Sequence, residues 1–470
     1  MINTAAIIVL LLYGLALAGV GLWAGRSVRR AEDFYVAGRR LGPGLLAATV
    51  LAANIGSGTT VGVAGLAYDI GVGALWWTGS AVLGTLVLAL TVGPRMWRVA
   101  REFDCYTVGD YLELRYGAAL RVLVMGFVWL GSVLILMSQI VAIGLVVAAF
   151  SGVDLRYGIF LGGAVVLAYY SAGGLWSSAV VNVVQLGVKL VAFPLALLAT
   201  ARMLGGIEAL RGAAASLGPD YLSPWSVGWV GASGFVVVLG TSFVVSPGLL
   251  QKAFGARDEG TVRKGLLLSS AGLAVFASIP VALGMLARLQ WPTPLLPGDN
   301  AWVLPQLLVL LPPAVGTFAV AAVISAELSS ADAVLFMLST SMSRDFYQRF
   351  WHPGVDDRGL LRAGRVAAVI GLVTAVLLAL LFPSVLGGLS AFYGVLVVAL
   401  AVPLLAGLYW ARASNAAALA SLATSVTVAI GALLYTGAPP GPSNLWPSVL
   451  GIAAGAVACV AVTMLSPRPG

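Results

Sequence analysis

Charge is what this chain of 470 residues has least of: 9% of its residues are Asp, Glu, Lys or Arg and 60% are hydrophobic, against roughly 25% charged in an ordinary soluble domain. That balance excludes a water-soluble protein of this size. Histidine occurs once, His352 in a polar loop, and cysteine twice, Cys105 in a polar loop and Cys459 inside an apolar run. A disulfide framework and a metal-ligand cluster are therefore both excluded. An intramembrane enzyme needs a nucleophile with a base, a metal cluster or paired carboxylates in one cavity. Only Glu327 and Asp332 are left for that work, so the chain is read as no enzyme. The ten-residue alternation of a β-barrel is missing as well.

What is present is a series of long apolar runs. At about 20 residues per crossing they give thirteen candidate spans, near 4–24, 44–66, 73–94, 122–150, 156–172, 177–203, 228–250, 265–287, 312–342, 364–384, 387–410, 415–436 and 447–465. The 58 glycines suit close helix contacts and broken helices, which lipid tolerates only where protein satisfies the freed backbone. The formal charge of +8 is informative through its placement, and gives no ground for a nucleic-acid partner. With the N-terminus outside, inside loops and the C-terminus hold 21 of the 26 basic residues; Arg156, Arg202, Arg211 and Arg288 fall outside and Lys189 lies in the sixth span. This is the positive-inside rule. The first apolar run starts at Met1, with Arg26, Arg29 and Arg30 after it, the pattern of a first span entering from outside and not of a cleaved signal peptide.

Two spans carry breaks. Span two holds Asn54-Ile55-Gly56-Ser57-Gly58-Thr59-Thr60, and span seven holds Gly240-Thr241-Ser242 followed by Ser246-Pro247-Gly248. Five spans separate them, so two five-helix units would have opposite orientation, and matched interruptions in inverted halves point to a transporter's central site. Packing alone is the competing explanation for either cluster.

Four segments then carry a resemblance over nearly the whole chain: Asp33-Phe34-Tyr35-Val36-Ala37-Gly38-Arg39-Arg40; Ala52-Ala53-Asn54-Ile55-Gly56-Ser57-Gly58; Gly173-Gly174-Leu175 with Gln185; and Ser329-Ser330-Ala331-Asp332 leading to Ser343-Arg344-Asp345-Phe346-Tyr347. Together they resemble the sodium:solute symporter family, which includes bacterial proline and pantothenate permeases and sodium/glucose and choline cotransporters. The resemblance implies an all-α polytopic membrane protein of leucine-transporter-type fold, with 13 transmembrane helices and two inverted five-helix repeats. Residues 1–25 would form an extra N-terminal helix, 44–203 and 228–410 the repeats, and 415–466 two C-terminal helices. Sodium-coupled symport of a small organic solute follows, in the plasma membrane, with the N-terminus outside and the C-terminus cytoplasmic. The implied partners are the solute and the lipid bilayer, with no obligatory protein partner.

By the same resemblance, sodium would sit between the carbonyls of Ala52 and Ile55 and the carbonyl of Ala326 with the hydroxyls of Ser329 and Ser330. The last three share one helical face; small-residue packing with back-bonding is the alternative for the two serines. Substrate contacts would come from Asn54, Gly56, Ser57 and Gly58 and from Thr241, Ser242 and Phe243. Helix N-termini at such breaks favour a carboxylate, hence an amino acid, monocarboxylate or vitamin-like acid. Trp76 and Trp77 read as interfacial anchors, with a lid as the alternative.

One departure matters. Where the family has an Asp in span six, this chain has Asn182, and Gln185 and Lys189 follow on the same face. A lysine inside the bilayer costs about 2.5–3.5 kcal/mol on insertion scales. Three readings stay open for Lys189: an ion pair with Glu327 or Asp332, an anchor for an anionic substrate, or a titrating amine that replaces sodium coupling. The alternatives at the level of function are a proton-coupled symporter using Lys189 and Glu327, and a non-transporting sensor.

Overall fold

The computed structural model describes residues 4–26, 31–169, 174–206, 217–293 and 300–466. Gly173 and the arginines at 29, 30, 211 and 468 lie outside them. Among the described residues the chain is helical, with one isolated backbone bridge between Leu41 and Ala256. In chain order the helices are α1 (Thr4–Gly25), α2 (Ala31–Val36), α3 (Pro43–Asn54), α4 (Val61–Ile70), α5 (Leu75–Val87), α6 (Gly93–Glu102), α7 (Val108–Tyr116), α8 (Ala118–Ser151), α9 (Leu155–Tyr169) and α10 (Gly174–Met203). There follow α11 (Gly228–Phe235), α12 (Thr241–Val245), α13 (Pro247–Phe254), α14 (Glu259–Gln290), α15 (Val303–Val309), α16 (Pro313–Thr340), α17 (Asp357–Leu381), α18 (Val385–Tyr409), α19 (Asn415–Thr436) and α20 (Trp446–Leu465).

Among the described residues ten helical stretches are long and apolar enough to cross a membrane, and four shorter apolar helices accompany them. One stretch, Ser57–Glu102, runs through parts of what the sequence divides between spans two and three, so the number of crossings does not follow from the helix count. Large apolar side chains such as Val275, Leu434 and Leu465 are exposed on the outside of the bundle, a surface that suits lipid and not water.

Loops expected on one side of the membrane meet one another. Arg39 pairs with Asp104, Arg98 with Glu259, and Leu41 bridges to Ala256, joining the segments after α1, α6 and α13. At the same end Arg121 donates to Asp345 at 2.5 Å, to Asp110 at 2.9 Å and to Glu113 at 2.5 Å, while Arg344 and Arg349 reach Asp110 and Glu113. The capping box of Thr107 and Asp110 starts α7 inside this cluster, and Thr107 also donates to Asp345. Cys105 is buried there, not exposed in a polar loop, and burial pushes its thiol up to about 11. The other end gathers the opposite set: Tyr68 donates to Trp291 O, Trp76 to Pro224 O, and Asn300 to Asp69. A cavity of about 670 Å³ opens there, lined by Asp69, Phe235, Asn300 and Trp446 among others.

Both expected breaks are real interruptions. α3 stops at Ile55 (φ −92°, ψ 85°) and helix resumes at Val61. The second break lies at Ser246 (ψ 116°), with Pro247 at the first position of α13. The Gly240-Thr241-Ser242 segment, expected to share in that interruption, is instead the end of a π-helical turn, Val236–Gly240, running directly into α12. Gly56 is where the first break presses on α16: a Cβ there would overlap Ser330 Oγ and lie 3.0 Å from Gln139 Oε1.

Two outcomes follow from this packing. Arg121→Ala strands the fully buried Asp345, an uncompensated charge of the kind that costs about 3–5 kcal/mol. It should lower the thermal midpoint in detergent far more than Arg98→Ala, whose exposed pair is worth about 0–1 kcal/mol. Gly56→Ala overpacks the contact with α16 at a cost of about 1–3 kcal/mol; a lower midpoint with lost solute uptake is expected, and an unchanged midpoint would contradict the close approach.

Candidate functional site

The site is built from unpaired carbonyls. Where α3 ends, the amides that would continue its ladder are diverted: Gly56 N donates to Thr59 Oγ1 at 3.0 Å, and Ser57 N to Gln139 Oε1 of α8 at 3.0 Å. The carbonyls of Ala52, Ala53, Asn54 and Ile55 must then find other donors, because a buried carbonyl left alone is costly. Thr59 Oγ1 lies 3.0 Å from Asn54 O, and Ser330 Oγ of α16 donates to Ala53 O at 2.8 Å. The remaining two are met by Lys189 of α10, whose Nζ donates to Ala52 O at 2.8 Å and to Ile55 O at 3.2 Å.

The third contact of the Lys189 ammonium is Ser329 Oγ, at 2.6 Å. That hydroxyl lies 2.8 Å from Ala52 O and 3.0 Å from Ala326 O, either of which can take its proton. Three of the five oxygens expected to surround sodium thus converge, and the atom on which they converge is a lysine nitrogen. Lys189 is completely buried. Among the described residues it forms no ion pair with Glu327 or Asp332, against the first of the sequence readings. Ser330 stands apart from this group and faces Ala53.

The other expected coupling residues surround Lys189 without touching it. Glu327, also fully buried, has Oε1 3.0 Å from Thr60 Oγ1 and acts on Lys189 through space. Asn182 donates to Thr49 Oγ1 at 2.9 Å. Gln185 is fully buried with neither end of its amide partnered among the described residues. Asp332 accepts from Ser178 and interacts electrostatically with Lys252.

Both breaks border one cavity of about 100 Å³. Of the expected substrate contacts, Asn54, Gly56, Gly58, Ser242 and Phe243 line it, and the Nδ2 of Asn54 is buried without a partner. Ser57 and Thr241 do not line it: the backbone of Ser57 is turned to Gln139, and Thr241 is on another face of its helix. The rest of the wall was not anticipated. Gln139 sits beside Asn54, Phe392 and Tyr393 of α18 supply aromatic surface, and Phe243 faces Tyr393 with ring centroids 5.9 Å apart.

Lys252 is the largest omission. Counted with the cytoplasmic-loop cations in the sequence, it is 2% exposed, lines this cavity, and donates to Thr49 O at 2.9 Å. The sequence signal that marks it is its place within α13, one turn past Pro247 and inside the charge-poor stretch that the break permits. Trp77 also departs from expectation. It is a buried ring packed on Phe235 and Tyr393, not an interfacial anchor, whereas Trp76 stacks near Trp225 at the bundle end.

The chain is similar to known transporters along most of its length. The osmoregulated proline transporter of Bacillus subtilis is 22% identical over 98% of this chain and 95% of its own length. The sodium/glucose cotransporter of Vibrio parahaemolyticus is 23% identical over 90% and 84%, and the sodium/pantothenate symporter of Escherichia coli 24% identical over 91% and 89%. The solved substrate-bound, outward-open structure of a Na+-coupled sialic acid symporter superposes with a TM-score of 0.83 at 19% identity, covering 100% of this chain and 99% of that one, so the two share a fold. A nucleobase-cation-symport-1 family transporter gives a TM-score of 0.57 at 14% identity over 93% and 95%. The sodium:solute symporter family model matches residues 34–424. The chain is therefore a multi-pass membrane transporter and not an enzyme, and it belongs to the sodium:solute symporter family, whose coupling ion is sodium.

Proposed function

We propose that this chain is a secondary active symporter that carries a small organic solute bearing a carboxylate, such as an amino acid, a monocarboxylate or a vitamin-like acid, into the cell by alternating access. The observation that carries the carboxylate is Lys252. It is a buried cation on the wall of the cavity between the two breaks, and its one hydrogen bond among the described residues leaves two N–H groups for a ligand. Ser246 and Gly248, at the N-terminal end of α13, line the same space and add the positive end of a helix dipole. Asn54 Nδ2 supplies a further donor, and Phe243, Phe392 and Tyr393 supply a surface for an apolar or planar body.

The larger cavity at the Asp69 end serves in this reading as the extracellular vestibule, and the Arg121 cluster lies on the cytoplasmic side. That places the N-terminus outside and the C-terminus inside across thirteen crossings, with residues 44–203 and 228–410 as the inverted halves. The family's sodium gradient supplies the work: one ion moving down 100 mV yields about 2.3 kcal/mol, and a tenfold gradient adds about 1.4 kcal/mol. Together they support roughly 500-fold accumulation of a neutral or zwitterionic solute, whereas for a monoanion carried with one ion the potential cancels and the tenfold gradient alone remains.

The test is counterflow in liposomes with labelled proline, pantothenate, short monocarboxylates, choline and glucose. A carboxylate should exchange, and Lys252→Met should reduce that exchange at least tenfold while Lys264→Met, in the loop-side turn of α14, leaves it unchanged. Exchange of choline or glucose alone, or full activity of the Lys252 variant, would refute a carboxylate held by Lys252.

A further inference from the structure

A sodium ion and the side chain of Lys189 cannot share the space they are both suited to. Nζ lies 2.8 Å from Ala52 O, 3.2 Å from Ile55 O and 2.6 Å from Ser329 Oγ, and Ser329 in turn reaches Ala326 O. These are four of the five residues that the family pattern assigns to the ion. The nitrogen spends one N–H on each of its three contacts and itself fills the point at which those three oxygens converge. Placing a second monovalent cation about 4 Å from an ammonium costs about 4 kcal/mol even at an effective dielectric constant of 20. Moving the lysine aside is no remedy in place, because Ala52 O and Ile55 O would lose their donors and the side chain is enclosed on every side.

We infer that the Lys189 ammonium is a tethered cation that takes the place of sodium at this cage, so that the cage between α3 and α16 binds no sodium in this chain. What sodium provides elsewhere, a positive charge bridging the unwound end of one helix to a facing helix, α10 here provides from its own side chain. The fit is physical as well as positional. The C-terminal end of α3 carries the negative pole of its dipole, and a lysine at a helix C-terminus is a favoured partner for its last carbonyls. Asn182 at the usual Asp position belongs to the same substitution: with the cage filled by a side chain of the protein, a supporting negative charge in span six has no ion to hold. Sodium that drives transport then binds through oxygens outside this cage.

The inference concerns ion occupancy and stands independently of which solute is carried, so the experiment uses solute-free protein. Purified full-length chain in lipid nanodiscs is titrated with sodium chloride against N-methylglucamine chloride at constant ionic strength, reading bound radioactive sodium and thermal midpoint. In the wild type, Ser329→Ala should leave sodium binding unchanged. Lys189→Ala, which empties the centre while keeping all five oxygen groups, should bind sodium at least tenfold more tightly than the wild type, and Lys189→Ala with Ser329→Ala should lose that gain. Wild-type binding that disappears in Ser329→Ala would place sodium in the cage beside the lysine and overturn the inference. A folded Lys189→Ala that gains no sodium affinity would overturn it too. Should Lys189→Ala not fold, the Ser329→Ala comparison decides alone, since that side chain can be removed with Lys189 still holding Ala52 and Ile55. Failure of every carboxylate to exchange in liposomes would leave these binding results untouched.

Discussion

Everything at the centre of this molecule follows from four carbonyl groups at the end of α3. A helix that stops within the membrane leaves its last carbonyls without amide partners, and no water is at hand to take them. Thr59 accounts for one from within the break, Ser330 for another from α16, and Lys189 for two from α10. Two helices, α10 and α16, are thus tied to one helix end. The same accounting explains why the lysine is long and charged. A hydroxyl has one proton to donate, whereas an ammonium has three and can close two carbonyls and a serine from a single position.

The two buried lysines do different work, and their hydrogen bonds tell them apart. Lys189 has three close oxygen partners, all supplied by the protein, and none of them on the wall of the substrate cavity. Lys252 has one among the described residues and is itself part of that wall. A cation whose donors are consumed by the fold holds the fold together; a cation with donors to spare beside a cavity is available to a ligand. Tyr393, whose ring packs against both Trp77 and Phe243, adds apolar surface to the same wall.

The breaks and the segregation of basic loops were legible in the sequence because each has a local cause: Gly and Pro interrupt helices, and arginines stay on one side. Lys189 was legible as an anomaly, since any lysine within an apolar run is one. Its partner was not. Sequence reasoning looks for an opposite charge, Glu327, while the structure supplies carbonyls, which every residue has and which therefore leave no mark. Lys252 was hidden for the converse reason: six residues past a Ser-Pro break it reads as the start of a cytoplasmic loop, and only the packing of α13 shows it inside. Trp77 was misplaced because a tryptophan near a span end looks alike whether it faces lipid headgroups or a cavity. Ser57 and Thr241 fell off the cavity wall because a break reorients neighbours by angles that spacing does not encode.

Formal charge inside the bundle gives the coupling its physical sense. Lys189 and Lys252 place two basic groups inside the bundle, Glu327 and Asp332 two acidic ones, and none of the four is joined to another as a close pair among the described residues. The four act on one another through space, so their fields balance over the whole centre rather than within any pair. A carboxylate solute entering beside Lys252 adds a negative charge that this set does not offset, and a charge inside the membrane without a counterpart is expensive. A cation arriving with it restores neutrality and lowers the cost of the loaded state. With Lys189 proposed as part of the balanced set, the cation that travels comes from solution, and its binding and the solute's favour each other by one coupling free energy.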